Sequence, residues 1–189
     1  AMKQWASEFR VLHMATHGYF LNDRCDSSFN AARSAAESSG QALAGESPLL
    51  LSGLALAGAN RRSAAGAQDE DGVLTAEEIA SLDLTGVDWA VLSACETGVG
   101  RIQLGEGVLG LRRAFEVAGA GTLIMSLWKV EDEATREWMQ DLYEGRLKGL
   151  STAEAVRHAG LSTIKKRRSM NRSVNVASWG AFVATGDWR

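Results

Sequence analysis

Three short apolar segments constrain the fold of this chain more than any other feature of its sequence. They lie at residues 8–14, 87–94 and 122–128. Apolar runs of this length that end in turn-forming residues are typical of buried strands. Helical patterns lie at residues 106–118, 132–148 and 151–166. Strands that alternate with helices predict an α/β domain with a largely parallel central sheet.

Two of the predicted helices begin with a specific capping signal. Thr75–Glu78 and Ser151–Glu154 both have the spacing of a capping box, in which a hydroxyl and a glutamate each satisfy a free backbone amide. We therefore predict a short helix after Thr75 and a longer one after Ser151. Weaker patterns predict a short strand or hairpin edge at 49–57 and a final short strand at 179–184.

Length and composition fit a single domain that covers residues 1–189. Apolar residues make up 46% of the 189 residues, which is enough to build a sizeable core. Two polar stretches, 22–47 and 58–72, lack strong helix or strand periodicity, and we predict that both are surface loop insertions. Loops of this length are usually functional or mobile, so both are candidates for movement during activation or for self-cleavage.

Charge and cysteine content exclude several classes of protein. The net charge of -3 argues against a nucleic-acid coat or a membrane-surface protein, so nucleic acid is expected as a partner only indirectly, if at all. The basic run Lys165–Arg168 is predicted to be a solvated helix end or surface loop. Two cysteines, Cys25 and Cys95, do not make the disulfide framework of a small secreted protein, and no apolar stretch is long enough to cross a bilayer. We expect a cytoplasmic protein with no membrane partner.

A cysteine and a histidine follow two of the predicted strands. Cys95 comes directly after the run that ends at Ala94, and His17 comes shortly after the run that ends at Met14. Because sites form beyond the carboxyl ends of strands in open α/β sheets, both side chains are expected at one edge. A thiol and an imidazole brought together there suggest a nucleophile and its base. Free amides near Cys95 and after His17 could bind a developing oxyanion.

Other interpretations of these residues stay open at this point. A lone buried cysteine is usually a small hydrophobe. The segment Cys95–Arg101 also resembles the phosphate-binding loop of protein tyrosine phosphatases, but Ala94 replaces the expected histidine and the usual acid loop is missing. No metal site is predicted, because the histidines and cysteines show no paired ligand spacing. His13 is expected to be a packed or edge histidine, and His158 a structural residue of a helix.

Several blocks of the sequence resemble the CHAT domain family. They occur in the family's order, cover the chain from about residue 9 to residue 188, and are highly specific when taken together. The blocks are Ala15–Gly18, Asp71–Ile79, Leu92–Gly98, Gly105–Gly107, Leu111–Phe115, Ala118–Ala120, Ser126–Val130, Trp179–Phe182 and Gly186–Trp188.

This resemblance implies a caspase-like three-layer sandwich with a mostly parallel central sheet, lacking the N-terminal portion of the usual domain. It implies a cysteine endopeptidase of the clan of caspases, metacaspases and separases, acting on protein or peptide substrates without a cofactor. The family's catalytic residues fall on His17 and Cys95, and its oxyanion hole on the amides of Gly18 and Cys95. The resemblance also implies a bacterial, cytoplasmic effector, regulated by tetratricopeptide-repeat regions or a larger complex.

The resemblance further suggests candidates for substrate recognition. The segment Ser126–Asp132 has the place of the S1-lining segment of metacaspases, where an acid binds a basic substrate side chain. Asp132 could take this role through charge-assisted pairing with Arg or Lys, although capping of the following helix is the favoured interpretation. An apolar pocket near Trp128 is equally open. The main non-catalytic alternative is an incomplete caspase-like domain that serves as an interaction module.

Overall fold

The computed structural model describes residues 2–20, 49, 52–60, 71–93 and 106–189 of the chain. Within these ranges it contains seven strands and five α-helices. The strands are β1 (Val11–Met14), β2 (His17–Phe20), β3 (Ser52–Ala55), β4 (Val73–Thr75), β5 (Trp89–Leu92), β6 (Thr122–Ser126) and β7 (Phe182–Gly186). The helices are α1 (Met2–Trp5), α2 (Ala76–Ala80), α3 (Glu106–Val117), α4 (Asp132–Leu147) and α5 (Thr152–Ser169).

The central sheet has four described strands in the order β1-β5-β6-β7. Strands β1, β5 and β6 are parallel, and β7 pairs with β6 in the antiparallel direction. The register places Met14 opposite Leu92, and Leu92 opposite Met125, so the three parallel strands end at nearly the same level. The prediction of a largely parallel central sheet is therefore confirmed.

Strand β5 shows why the sheet lies between two helical layers. All four of its residues are buried, which is typical of a strand covered on both faces. Ala90 and Leu92 pack in one hydrophobic cluster with α2 and α3, whereas Trp89 and Val91 pack in a second cluster with α4 and α5. Successive side chains of a strand point to opposite faces, so one strand contributes to both cores. The result is the expected three-layer caspase-like sandwich.

A second, smaller sheet follows directly from the first. Strands β2, β3 and β4 form an antiparallel sheet in that order. Only Ala15 and Thr16 separate β1 from β2, so the chain turns a corner there and passes from one sheet to the other. The sequence pattern predicted a turn after the first strand, and the second strand was not expected. Leu54 of β3 and Leu74 of β4 are fully buried in the cluster that covers the α3 face of the central sheet.

The helices lie where the sequence predicts them, and both capping boxes form. The Thr75 hydroxyl accepts from the Glu78 amide while the Glu78 carboxylate accepts from the Thr75 amide, and Ser151 and Glu154 make the same reciprocal pair. Helix α3 ends just before Gly119, which has a φ of 93° and accommodates the left-handed turn without steric cost.

The five predicted strands are all longer than the observed ones. The first strand begins at Val11 and not at residue 8, because Ala6–Glu8 form a 3-10 turn that precedes it. The last strand begins at Phe182 and not at residue 179, because Val176–Ser178 form a second 3-10 turn. Phe9 and Trp179, between each turn and its strand, extend the hydrophobic pattern beyond the strand itself, so the pattern alone does not locate the end.

The polar insertions fall largely outside the part of the chain that the structure describes. The stretch 22–47 lies entirely outside it, and of 58–72 only residues 58–60 and 71–72 are described. Their assignment as surface loops stays a prediction. The basic run Lys165–Arg168 does lie in the last turns of α5, as predicted. Lys166 is an exception to simple solvation, because its Nζ lies 2.9 Å from both carboxylate oxygens of the buried Asp141 on α4.

Candidate functional site

The candidate site lies beyond the carboxyl ends of the three parallel strands. Strand β1 ends at Met14, β5 at Leu92 and β6 at Ser126, and the register keeps these ends level. His17 follows Met14 by three residues, and Cys95 follows Leu92 by three residues. Ligands bind at this edge in open α/β sheets. The predicted residues are therefore attached, through short stretches of chain, to neighbouring strand ends.

His17 is the first residue of β2, where it lies opposite Ala55 of β3 and is exposed. The preceding Thr16 donates a hydrogen bond from its hydroxyl to the Ala55 carbonyl. This bond and the strand pairing fix the backbone on both sides of the corner. Gly18, the predicted oxyanion-hole residue, is buried and lies opposite Leu54. The His17 backbone is thus held by a sheet instead of a free loop.

Cys95 lies outside the described residues, as do the rest of the segment Cys95–Arg101 and the second cysteine, Cys25. The pairing of the thiol with His17, the participation of its amide in an oxyanion hole, and the phosphate-loop alternative all stay predictions. The last described residue before this segment is Ser93. Its amide donates to the Met14 carbonyl over 3.2 Å, which extends the ladder between β1 and β5 by one bond.

Trp128 and Asp132 both follow the end of β6, as the sequence predicts. Trp128 is 37% exposed, and its indole Nε1 donates to the Ala177 carbonyl over 3.0 Å. Asp132 is exposed and is the first residue of α4. The expected capping role of Asp132 is wrong in detail, because Glu131 occupies the N-cap position and no side chain bonds there. Asp132 instead places a negative charge in the first helical turn, which the helix dipole favours.

A hydrogen-bonded group of three side chains lies beside this edge. The Nε2 of His13 on β1 lies 3.1 Å from the Ser93 hydroxyl, and its Nδ1 lies 3.0 Å from the Tyr143 hydroxyl on α4. Desolvation lowers the pKa of His13 and raises the pKa of Tyr143, so both are neutral near pH 7. The prediction that His13 is a packed or edge histidine is confirmed, since β1 is the outer strand of the described sheet.

Sequence reasoning missed Ser93 and Tyr143 as partners of His13. Ser93 follows a strong strand pattern, and a serine at a strand end has no distinctive signal. Tyr143 shares a helix face with Met139, four residues earlier, and that spacing indicates packing only. Its hydroxyl contacts His13, which is 130 positions away in the sequence. Only the packing of α4 against the sheet brings the two side chains together.

Two kinds of feature are absent from the described ranges. No group of three or more His, Cys, Asp or Glu side chains in these ranges is arranged so that it could hold a metal ion. None of the helices in the same ranges combines the length and the apolar character needed to cross a bilayer.

The family model of the CHAT domain matches residues 1–187, which is nearly the whole chain. The chain belongs to the CHAT domain family. CHAT domains are members of the caspase-like clan, so the three-layer sandwich described above is a peptidase-related fold. The match agrees with the resemblance drawn from the sequence blocks.

Curated relatives give a weaker and more distant similarity. The chain is 28% identical over 114 residues to tetratricopeptide repeat protein 28 of Mus musculus and, to the same extent, of Homo sapiens. These 114 residues are 60% of this chain and 4% of each relative. The chain therefore spans only a small part of the proteins that it matches. Both relatives are mammalian, and the predicted bacterial source of this CHAT domain stays a prediction.

Proposed function

We propose that this CHAT domain is a cysteine endopeptidase in which Cys95 is the nucleophile and His17 the general acid and base. The observation that carries the proposal is the level pairing of β1 with β5, with Met14 opposite Leu92. Each candidate residue follows one of these paired residues by three positions. Membership of a caspase-like clan supports the same assignment.

Chain connectivity makes the dyad feasible without rearrangement of the sheet. Neighbouring strands lie about 4.8 Å apart. Three residues of extended chain span at most about 11 Å. Cys95 and His17 therefore follow neighbouring strand ends at equal separations along the chain, and these lengths are sufficient for the thiol to reach the imidazole. The exposure of His17 supports access by a substrate.

The proposed reaction follows from the chemistry of a thiol and an imidazole. The Cys95 thiolate attacks the carbonyl carbon of the scissile peptide, and backbone amides of Gly18 and Cys95 stabilise the oxyanion. The carbon–nitrogen bond then breaks, and the protonated His17 gives its proton to the leaving amine. His17 next removes a proton from water, which attacks the thioester. The carbon–sulfur bond then breaks, the carboxylic acid product leaves, and the Cys95 thiolate and the protonated His17 are regenerated.

Two features beyond β6 are proposed to choose the substrate side chain. Asp132 is exposed at the start of α4 and can pair with Arg or Lys of a substrate. Trp128 presents part of its ring to solvent and is held by its bond to Ala177, so it offers a fixed apolar surface. The two proposals predict different substrate preferences, basic for the first and apolar for the second.

The cellular setting is also a proposal. Similarity to a protein named for its tetratricopeptide repeats supports a role for such repeats, in the same chain or in a partner, in regulating the domain. We propose a regulated effector of the cytoplasm whose substrate is a protein.

A panel of fluorogenic peptides tests the proposed activity. The parent protein, Cys95→Ala and His17→Ala are assayed on peptides with basic, acidic and apolar residues before the cleaved bond. We expect turnover by the parent only. Cys25→Ala is the matched control, because Cys25 is the other cysteine of the chain and has no role in the proposal. Mass spectrometry after treatment with a peptide-based electrophile should find a single adduct, on Cys95.

The same panel separates the alternatives. Hydrolysis of an aryl phosphate, lost in Cys95→Ala, together with no peptide cleavage would favour the phosphatase interpretation. No turnover of any substrate and no adduct on Cys95, with or without added tetratricopeptide-repeat partner, would refute the peptidase proposal and favour an interaction module.

A further inference from the structure

His13 connects three separate elements through both of its ring nitrogens. The ring lies on β1, its Nε2 meets Ser93 at the end of β5, and its Nδ1 meets Tyr143 on α4. The distances, 3.1 Å and 3.0 Å, are those of ordinary hydrogen bonds. A neutral imidazole has one donor and one acceptor nitrogen, and a hydroxyl can play either part. Both contacts are therefore satisfied in either tautomer.

The Tyr143 side of this group is rigidly supported. The Tyr143 ring lies 5.7 Å from the His13 ring and 6.4 Å from the ring of Trp89. Trp89 is 1% exposed, and its Nε1 donates to the Thr152 hydroxyl at the start of α5. Its ring also lies under the guanidinium of Arg146, 4.3 Å from the centroid. Tyr143 is thus packed against a fixed core residue and can act as a fixed point for His13.

Ser93 connects His13 to the chain segment that carries the proposed nucleophile. Ser93 has two connections to β1, from its amide to the Met14 carbonyl and from its hydroxyl to His13. Cys95 follows Ser93 by two residues. Within the described sheet β1 is an outer strand and pairs only with β5. The Ser93–His13 bond therefore adds one more connection between these two strands.

We propose that His13, held by Tyr143, is a positioning residue that fixes Ser93 and thereby the start of the segment that carries Cys95. This inference rests on the proposed peptidase function of Cys95 and His17. His13 does not contact the substrate in this proposal. It acts through Ser93, and its contribution appears in the alignment of the thiol and not in the binding of the peptide.

Two substitutions of His13 each keep one of its two hydrogen bonds and remove the other. The amide nitrogen of glutamine can take the place of Nε2, so His13→Gln can keep the bond to Ser93. The amide of asparagine matches Nδ1, so His13→Asn can keep the bond to Tyr143 and loses Ser93. We expect His13→Asn and Ser93→Ala to lower kcat by about tenfold or more with little change in KM, because small misplacements of a reacting group are costly. His13→Gln, which keeps the Ser93 bond but loses the Tyr143 bond, should retain more activity than His13→Asn.

A second measurement does not depend on peptide cleavage. In a Cys25→Ala background, the pH dependence of Cys95 alkylation by iodoacetamide reports how well His17 stabilises the thiolate. We expect the midpoint in His13→Asn to move toward the ordinary thiol value of about 8.5, and the midpoint in His13→Gln to stay closer to that of the parent. A merely structural role for His13 would lower the melting temperature of both variants and leave this midpoint unchanged.

Thr122→Val is the matched control. Like Ser93→Ala, it removes a hydroxyl that bonds another segment of the chain, but the buried Thr122 begins β6 and donates to the Asp187 carbonyl at the end of the sheet opposite the candidate site. We expect a lower melting temperature with unchanged kcat and an unchanged alkylation midpoint. If Cys95→Ala leaves turnover intact, the peptidase proposal fails, and the alkylation profile still decides the positioning role. If turnover requires Cys95 but Ser93→Ala and His13→Asn match the parent in both assays, the positioning role is refuted.

Discussion

Replacement of Gly53 by alanine should disturb the small sheet that holds His17. Gly53 is buried in the middle strand, β3, and a Cβ there would lie 2.6 Å from the Leu74 carbonyl oxygen and 2.6 Å from the Tyr19 hydroxyl. Ordinary contacts begin at 3.4 Å, so each distance is too short by about 0.8 Å. The Tyr19 ring can move away, but the carbonyl belongs to β4 and moves only with that strand.

The cost follows from the size of this overlap. Overpacking of a core by one carbon costs about 1–3 kcal/mol, and the smaller chain entropy of unfolded alanine returns about 0.5–1 kcal/mol. We expect a net loss of about 1–2 kcal/mol, which lowers the melting temperature of a chain of this size by about 2–8 °C. Peptide turnover should fall as well, because Ala55, opposite His17, lies on the displaced strand.

Gly160→Ala is the internal control for this experiment, measured by the same thermal melts. Gly160 lies inside α5, where an added Cβ comes no closer than 3.9 Å to any other group outside its own helix backbone. Alanine is favoured over glycine in a helix interior by about 1 kcal/mol, so this variant should melt about 2–4 °C higher with unchanged turnover. A melting temperature of Gly53→Ala at or above that of the parent would show that the close contact does not exist in solution.

Three further predictions concern charged groups. Lys166→Met should destabilise the fold by about 2–3 kcal/mol in urea unfolding, because it leaves the Asp141 carboxylate, 6% exposed, without its partner. The double variant Lys166→Met with Asp141→Leu should recover most of this stability. If the single and the double variant were equally unstable, the unpaired carboxylate would not be the cause of the loss. Asp132→Asn should raise KM for peptides with Arg or Lys before the cleaved bond by about tenfold and leave apolar peptides unchanged, whereas equal KM values would favour the apolar pocket. Since the folded-state pKa of His13 is lowered from 6.5, its contribution to stability is complete above that pH and is lost as the pH falls below 6.5 and through the lower folded-state pKa. Urea unfolding from pH 7.5 to 5 should show the parent losing more stability than His13→Gln, and parallel profiles would contradict this.

The central sheet could be predicted from the sequence because its strands are short, mostly apolar segments that alternate with helical patterns, two of which begin with capping boxes. Thr75 and Ser151 each start a helix through local hydrogen bonds, and local bonds leave a sequence signature. The small sheet was missed in part because its strands depend on non-local partners. His17–Phe20 contains a histidine, a glycine and two aromatic residues, and only pairing with β3, more than thirty residues later, makes it a strand.

The residues of the candidate site also differ in how well the sequence predicts them. His17, Trp128 and Asp132 were placed correctly beyond strand ends, since a residue that follows a recognisable strand can be located from the sequence. The role of Asp132 in capping was misassigned because helix ends are uncertain by one or two residues. The His13–Ser93–Tyr143 group could not be predicted, because hydrogen bonds between side chains of distant elements leave no pattern in the sequence.

The two candidate catalytic residues are connected along the chain to different sheets, and this has a physical consequence. Cys95 follows β5 of the central sheet, whereas His17 begins β2 of the small sheet. The backbone joint between the sheets is only Ala15 and Thr16, but the buried Leu54 and Leu74 of the small sheet pack in the same cluster as Leu92. Because close-packed interiors transmit strain, a change in how the small sheet packs on this cluster can move His17 relative to the end of β5. In the proposed dyad, a partner that binds the small sheet would therefore change the alignment of the two residues without touching either of them, which is a route to regulation that a site built on one sheet would lack.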